Sequence, residues 1–171
     1  MVFSSTHNLS QVQFENLLNA YGSPNYGTQR SLCFNAMIVG NLMTYGMEEP
    51  ARDYSNVKYI ILTGRNLVEA VSTSETGDLI QAMDRGAKMV YLDPRFTKTA
   101  AKADLWLPIK PGTDLAFHLA LLHVIIKEQL YDREFVNSHT VGFEELAATV
   151  APYTPDWAAG ITELKATDIE T

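Results

Sequence analysis

Three short stretches of this chain hold residue types whose spacing suits a nucleotide. The first, Tyr59-Ile60-Ile61-Leu62-Thr63-Gly64-Arg65-Asn66-Leu67-Val68-Glu69-Ala70, is an apolar run that ends in Gly and reads as a strand opening into a helix. The second is Met89-Val90-Tyr91-Leu92-Asp93-Pro94-Arg95, and the third is Lys110-Pro111-Gly112-Thr113-Asp114. Free N–H groups at the start of a helix attract phosphate. A glycine at a strand end lets the backbone come close to that phosphate. A carboxylate at the tip of the next strand typically accepts hydrogen bonds from ribose hydroxyls. In an open parallel sheet such strand ends converge on one crevice, where ligands bind.

Each of these residues also has a plainer reading. Gly64 fits an ordinary strand-to-helix loop, although Asn66 can reach a phosphate or ribose and Glu69 falls on the first turn of the expected helix. The Gly-x-Gly-x-x-Gly of nicotinamide enzymes is missing, which disfavours hydride transfer. Asp93-Pro94-Arg95 is either a solvated turn with a surface ion pair or a site where Arg95 meets a pyrophosphate bidentately. Asp114 is either a helix cap or a reader of guanine, whose N1–H and exocyclic amine offer a carboxylate two adjacent donors. Adenine lacks that pair.

Cys33, in Arg30-Ser31-Leu32-Cys33-Phe34-Asn35, is either inert apolar filler or, as a thiolate, a ligand for a soft metal such as molybdenum or tungsten. His7, His118, His123 and His139 lack metal-ligand spacing, and His118 and His123 are expected to pack within a buried helix. No Ser-His-Asp, CxxC or HExxH arrangement occurs.

Composition narrows the partners. A formal net charge of -7 argues against a nucleic-acid backbone or an anionic membrane. One bound anionic dinucleotide remains compatible, because backbone N–H groups and a few local cations can hold it. The longest apolar stretch, from Leu115 to Ile126, is broken by His118 and His123, and falls short of the roughly 18 apolar residues of a membrane span. Met1-Val2-Phe3-Ser4-Ser5 lacks the basic and apolar regions of a signal peptide. A single cysteine rules out an intrachain disulfide.

The elements that must position these residues follow from periodicity. Residues 9–20 read as a helix, closed by the turn Tyr21-Gly22-Ser23-Pro24-Asn25, and 33–45 read as helical in part. Strands are expected at 57–62 and 88–92, with a helix over 75–85 between them and Gly86 at its C-cap. Residues 103–109 alternate like an edge strand that tolerates Pro108. A helix capped by Asp114 should run to about Gln129, apolar nearly all round and therefore well buried. Residues 133–150 read as helical, and 161–169 begin what reads as another helix. Alternating strand and helix implies an α/β fold with a Rossmann-like parallel sheet flanked by helices.

In this order and spacing the segments resemble the molybdopterin oxidoreductases of the dimethyl-sulfoxide-reductase family. The likeness is densest from Tyr59 to Val136, including Thr97-Lys98-Thr99-Ala100-Ala101-Lys102-Ala103-Asp104. It implies a molybdenum or tungsten ion on pterin guanine dinucleotides. Thr63, Gly64, Arg65, Asn66, Glu69 and Ala70 would form the first dinucleotide loop. Leu92, Asp93, Pro94 and Arg95 would form the second, with Asp93 at the guanosine end. Gly112, Thr113 and Asp114 would form the guanine-edge turn, and Cys33 would be the metal ligand and catalytic residue.

The resemblance further implies one α/β domain over 1–171, a fragment of a larger catalytic subunit. It would comprise a metal-proximal segment at 1–50, a guanine-dinucleotide-binding core at 51–130 and a truncated helical flank at 131–171. An iron–sulfur cluster is expected only in a missing N-terminal part, and the fragment alone should not turn over. Partners would be the remaining domains of the subunit, iron–sulfur electron-transfer subunits and a possible membrane anchor. Gly22-Ser23-Pro24-Asn25 and Gly64 to Ala70 lean towards reduction of thiosulfate or polysulfide in anaerobic respiration, with formate dehydrogenase as the alternative. Outside the family, the competing readings are a nicotinamide-type or a non-catalytic nucleotide-binding module.

Overall fold

The computed structural model describes residues 2–4, 9–24, 26–28, 35–69 and 73–170. The chain divides into two compact units, Met1–Arg52 and Asp53–Thr171. In the first, β1 (Val2–Ser4) pairs in parallel with β2 (Tyr26–Thr28), and α1 (Leu9–Tyr21) lies between them in sequence. Neither three-residue strand stands out in the sequence. The helix α2 (Asn35–Tyr45) completes the described part of this unit.

The second unit holds β3 (Tyr59–Thr63), β4 (Lys88–Leu92) and β5 (Leu105–Leu107) in one parallel sheet of order β3-β4-β5. Thr63 pairs with Leu92 and Leu92 with Leu107, so the three carboxyl ends are level. Alternation sends side chains to two faces. Ile60, Leu62, Met89 and Tyr91 pack with Leu79 and Ala82 of α3 (Thr73–Asp84). Val90, Leu92 and Leu107 pack instead with Phe117 and Ala120 of α4 (Asp114–Lys127). That second layer also contains Ala158 of α7 (Pro155–Thr162) and Ile169 of α8 (Ala166–Glu170). Helices on both faces of a parallel sheet make this the α/β arrangement that the alternating pattern implies. Two shorter helices, α5 (Arg133–His139) and α6 (Phe143–Val150), divide the stretch that reads as helical over 133–150, with Gly142 between them at φ +79°.

Five local expectations need correction. Gly64 does not open a helix: residues 67–69 form a turn, and Glu69 lies before the described start of α3. The reason is side-chain hydrogen bonding, one bond local and one from a distant loop, since Asn66 Nδ2 donates to Glu69 Oε2 at 2.6 Å and Val68 N–H donates to Thr99 Oγ1 at 3.1 Å. Those bonds compete with a helical ladder.

Asp114 is the first residue of α4 and not its cap. Thr113 holds the cap position, and its hydroxyl donates to the Lys110 carbonyl at 2.7 Å. The helix itself buries a single stripe, Ala116, Phe117 and Ala120, while Leu115 is 71% exposed. His118 is exposed and His123 half-buried, so neither packs as a core histidine. Finally, Ile161-Thr162 closes α7, because Glu163 turns left-handed at φ +64°, and α8 begins only at Ala166.

Candidate nucleotide-binding site

Three loops leave the level carboxyl ends of β3, β4 and β5. The first begins at Gly64, whose N–H donates to the Leu92 carbonyl at 3.0 Å. Its φ of +61° favours glycine, and nothing lies within 4 Å of where a Cβ would stand. Gly112, in the third loop, has the same two properties at φ +82°. Both turns therefore leave open space in front of backbone that a side chain would otherwise fill.

Arg65 leans away from the strand ends, its Nη2 donating to Glu75 Oε2 at 2.5 Å. Glu75 also accepts from the Tyr54 hydroxyl at 2.8 Å, so this ion pair fastens the loop to α3. Asn66 is spoken for at both ends. Its Nδ2 donates to Glu69, and its Oδ1 accepts from Thr99 Oγ1 at 2.6 Å. Glu69 accepts in addition from the Lys98 N–H at 3.3 Å, with Lys98 Nζ at 4.0 Å. The Asn66 amide first, then the Lys98 N–H and the charges of Lys98 and Arg95, hold the Glu69 carboxyl below the usual range.

Asp93 is the most firmly placed side chain of the second loop. Its Oδ2 accepts from the Tyr91 hydroxyl at 2.8 Å and its Oδ1 from the Arg95 N–H at 2.8 Å. Its backbone is tied as well: N–H to the Leu107 carbonyl at 3.2 Å, and carbonyl from Trp106 Nε1 at 2.9 Å. Burial pushes the Tyr91 hydroxyl up, and the Asp93 carboxylate adds to that, so the phenol stays a donor. Trp106 also meets Phe96 edge-on, with ring centroids 5.0 Å apart. Leu92 is buried, whereas Pro94 and Arg95 are exposed, and the Arg95 guanidinium makes no hydrogen bond among the described residues while its charge acts on Glu69.

The third loop is anchored from α7. Lys110 N–H donates to the Thr162 carbonyl at 3.0 Å, and its Nζ pairs with Glu163 Oε1 at 2.8 Å. Asp114 then stands half-buried at the head of α4, and its carboxylate has no hydrogen bond or ion pair among the described residues. Thr63 Oγ1, at the end of β3, lies 3.5 Å from His118 Nε2 on the next turn of that helix.

Thr63, Gly64, Arg65, Asn66, Glu69, Leu92, Asp93, Pro94, Arg95, Gly112, Thr113 and Asp114 thus all belong to the carboxyl edge of one sheet. Cys33 and Ala70 lie outside the described residues. Among the described residues no group of three His, Cys, Asp or Glu side chains is placed to hold a metal. Sequence reasoning missed Thr99, Tyr91 and His118. Tyr91 was legible, since residues two apart on a strand share a face and it precedes Asp93 by two. A groove of about 490 Å³ among the described residues runs along Tyr59, Ile61 and Leu121 instead and contains none of the candidate residues.

Comparison with known proteins decides the family. The sequence pattern of the molybdopterin oxidoreductases matches residues 1–161. This chain belongs to the molybdopterin oxidoreductase family. It is 41% identical over 97% of its length to the thiosulfate reductase molybdopterin-containing subunit of Salmonella typhimurium, covering 22% of that protein. The F420-dependent formate dehydrogenase 1 subunit alpha of Methanococcus maripaludis is 35% identical over 77% of the chain, which covers 20% of it.

Among solved structures, acetylene hydratase from Pelobacter acetylenicus superposes with a TM-score of 0.79 at 39% identity, over 92% of this chain and 22% of that one. The α/β fold is therefore that of a family member. The chain spans about a fifth of the length of the relatives it matches. Family members are enzymes, and the family implies a molybdenum or tungsten pterin cofactor. Relatives are named as subunits of larger assemblies.

Proposed function

We propose that the carboxyl edge of the β3-β4-β5 sheet binds the guanine dinucleotide end of the molybdopterin cofactor. The carrying observation is Asp114, a half-buried carboxylate without a hydrogen bond or ion pair among the described residues, beside the left-handed Gly112 and on the same edge as Asp93. Burying a carboxylate is costly unless donors compensate. Guanine supplies two, N1–H and the exocyclic amine.

The rest of the donor set fits such a ligand. Gly64 leaves open space at its turn, Arg95 offers an exposed guanidinium for phosphate, and Asp93 is held where it can accept from ribose hydroxyls. Asn66 and Glu69 stiffen the first loop, and Asn66 keeps one amide hydrogen for a phosphate oxygen. Cys33 is proposed as the metal ligand on the family resemblance. When bound, the metal supplies atom exchange and a two-electron change, while the protein binds and orients the cofactor.

For the intact protein we propose a molybdenum or tungsten oxidoreductase acting on a sulfur oxyanion or polysulfide, working with iron–sulfur electron-transfer subunits. The thiosulfate reductase likeness over 97% of the chain supports that substrate class. A thermal-shift titration of the chain with GDP, ADP and NAD tests the pocket. GDP should raise the melting temperature selectively; a response to NAD or ADP in its place sinks the guanine reading.

A further inference from the structure

Thr99 is fully buried, sits in neither candidate loop end, and uses its hydroxyl twice. It donates to Asn66 Oδ1 at 2.6 Å and accepts from the Val68 N–H at 3.1 Å. Both partners belong to the loop after β3, whereas Thr99 follows β4. Next to it, the Lys98 N–H donates to Glu69 Oε2 at 3.3 Å, and Gly64 N–H reaches the Leu92 carbonyl at 3.0 Å. The two loops therefore share a line of bonds from the strand ends outward to Lys98. Thr99 is the only link in that line that is a buried side chain with both hydroxyl functions used.

We infer that Thr99 is the positioning residue that locks the loop after β3 to the loop after β4, so that both present a ligand with one rigid edge. The inference rests on the nucleotide reading for what the edge holds, but the lock itself is a property of the free chain. A ligand that spans two independently moving loops must order both on binding, and a lock made in advance removes that cost. Valine at this position keeps the shape of threonine and removes the hydroxyl. It strands the Val68 N–H and Asn66 Oδ1, both of which lose a partner. Asn66 then keeps only Glu69, and Glu69 is free to follow Lys98 or solvent.

The test compares Thr99→Val, Thr99→Ser and Val150→Ala with the parent chain. Val150 is buried on α6 and serves as a packing loss away from the loops. Amide exchange of residues 64–69 is measured without ligand, and GDP affinity by titration. Thr99→Val should speed exchange at the Val68 amide about tenfold or more and weaken GDP about tenfold. Thr99→Ser, which restores the hydroxyl, should bring both within about twofold of the parent. Val150→Ala should lower the melting temperature and leave both unchanged. Unchanged Val68 exchange in Thr99→Val overturns the lock, as does an equal effect in Val150→Ala. A parent chain that ignores GDP refutes the nucleotide reading instead, and the exchange data still decide the lock.

Discussion

Tyr91 donates its hydroxyl hydrogen to Asp93 Oδ2 across 2.8 Å, and the two residues share one face of the strand end. The phenol comes out of the core layer, where its ring is fully buried, and reaches the edge of the sheet. A core residue thereby sets the direction of a binding carboxylate.

Tyr91→Phe tests that coupling. The ring stays packed while the hydroxyl is lost to both Asp93 and Thr97, so the stability loss should be about 1–2 kcal/mol, the net worth of one or two hydrogen bonds. Asp93 keeps the Arg95 N–H on its other oxygen. GDP affinity should fall severalfold, by calorimetric titration, with ADP affected equally because ribose is common to both. A loss confined to stability would remove Tyr91 from the binding account.

Asp114→Asn separates base recognition from helix capping more cleanly than the sequence alone allowed. Thr113 occupies the cap position, so the substitution leaves the helix start intact. Asn presents one acceptor and two donors, and one of those donors would face a guanine donor. GDP affinity should drop by about tenfold or more, the scale of a lost hydrogen bond to a charged group, while ADP binding stays as it was. Equal titration curves for the two chains with GDP would dismiss Asp114 as the base reader.

Gly64 and Gly86 offer a paired comparison. Both are left-handed, at φ +61° and +101°, and neither has an atom within 4 Å of a built Cβ. Alanine at either position should therefore cost about 1–2 kcal/mol through backbone strain rather than collision. Gly86 ends α3 at the opposite end of the sheet, just before β4 begins, whereas Gly64 follows the carboxyl end of β3. Only Gly64→Ala should weaken GDP beyond its effect on stability, since only there does a methyl group occupy space meant for phosphate. Denaturant melts and GDP titrations on both variants give the comparison.

How much of this was legible in the sequence depends on the range of the forces involved. The strand Lys88–Leu92 falls where its apolar run predicts, because burial between two helix layers demands that run. The segment after Gly64 was misread, since the bonds that bend it come from Thr99, more than thirty residues on. Apolar residues around α4 announced burial but not what covers them, and Leu115 is exposed. Glu163 ends α7 in a left-handed conformation that no glycine advertises. Gly64, Asp93 and Arg95 could be grouped from the sequence because residues that follow parallel strands with level ends must come out on one edge.

Lys88 and Asp104 give the fold a pH dependence whose sign is fixed. Lys88 Nζ pairs with Asp104 Oδ1 at 2.8 Å, and Asp104 Oδ2 accepts from the Met89 N–H at 2.9 Å. The Lys88 hydrogen bond first, and then the Met89 N–H, lower the Asp104 pKa from 3.8. A carboxyl whose folded pKa is depressed adds stability that is fully present above its unfolded value and is lost as pH falls through the folded one. Asp104 therefore contributes across neutral pH and ceases to contribute in acid, below 3.8. Lys88 is raised from 10.5 by the same pair, so its share is present below that value and fades only in strong alkali. Asp104→Asn should lower the melting temperature near neutrality and narrow its gap from the parent as pH falls from about 4 to about 2. The pair joins the start of β4 to the approach to β5, away from the carboxyl edge, so GDP affinity should not change. A gap that stays constant over that range would mean the charge of Asp104 adds nothing to the Met89 hydrogen bond.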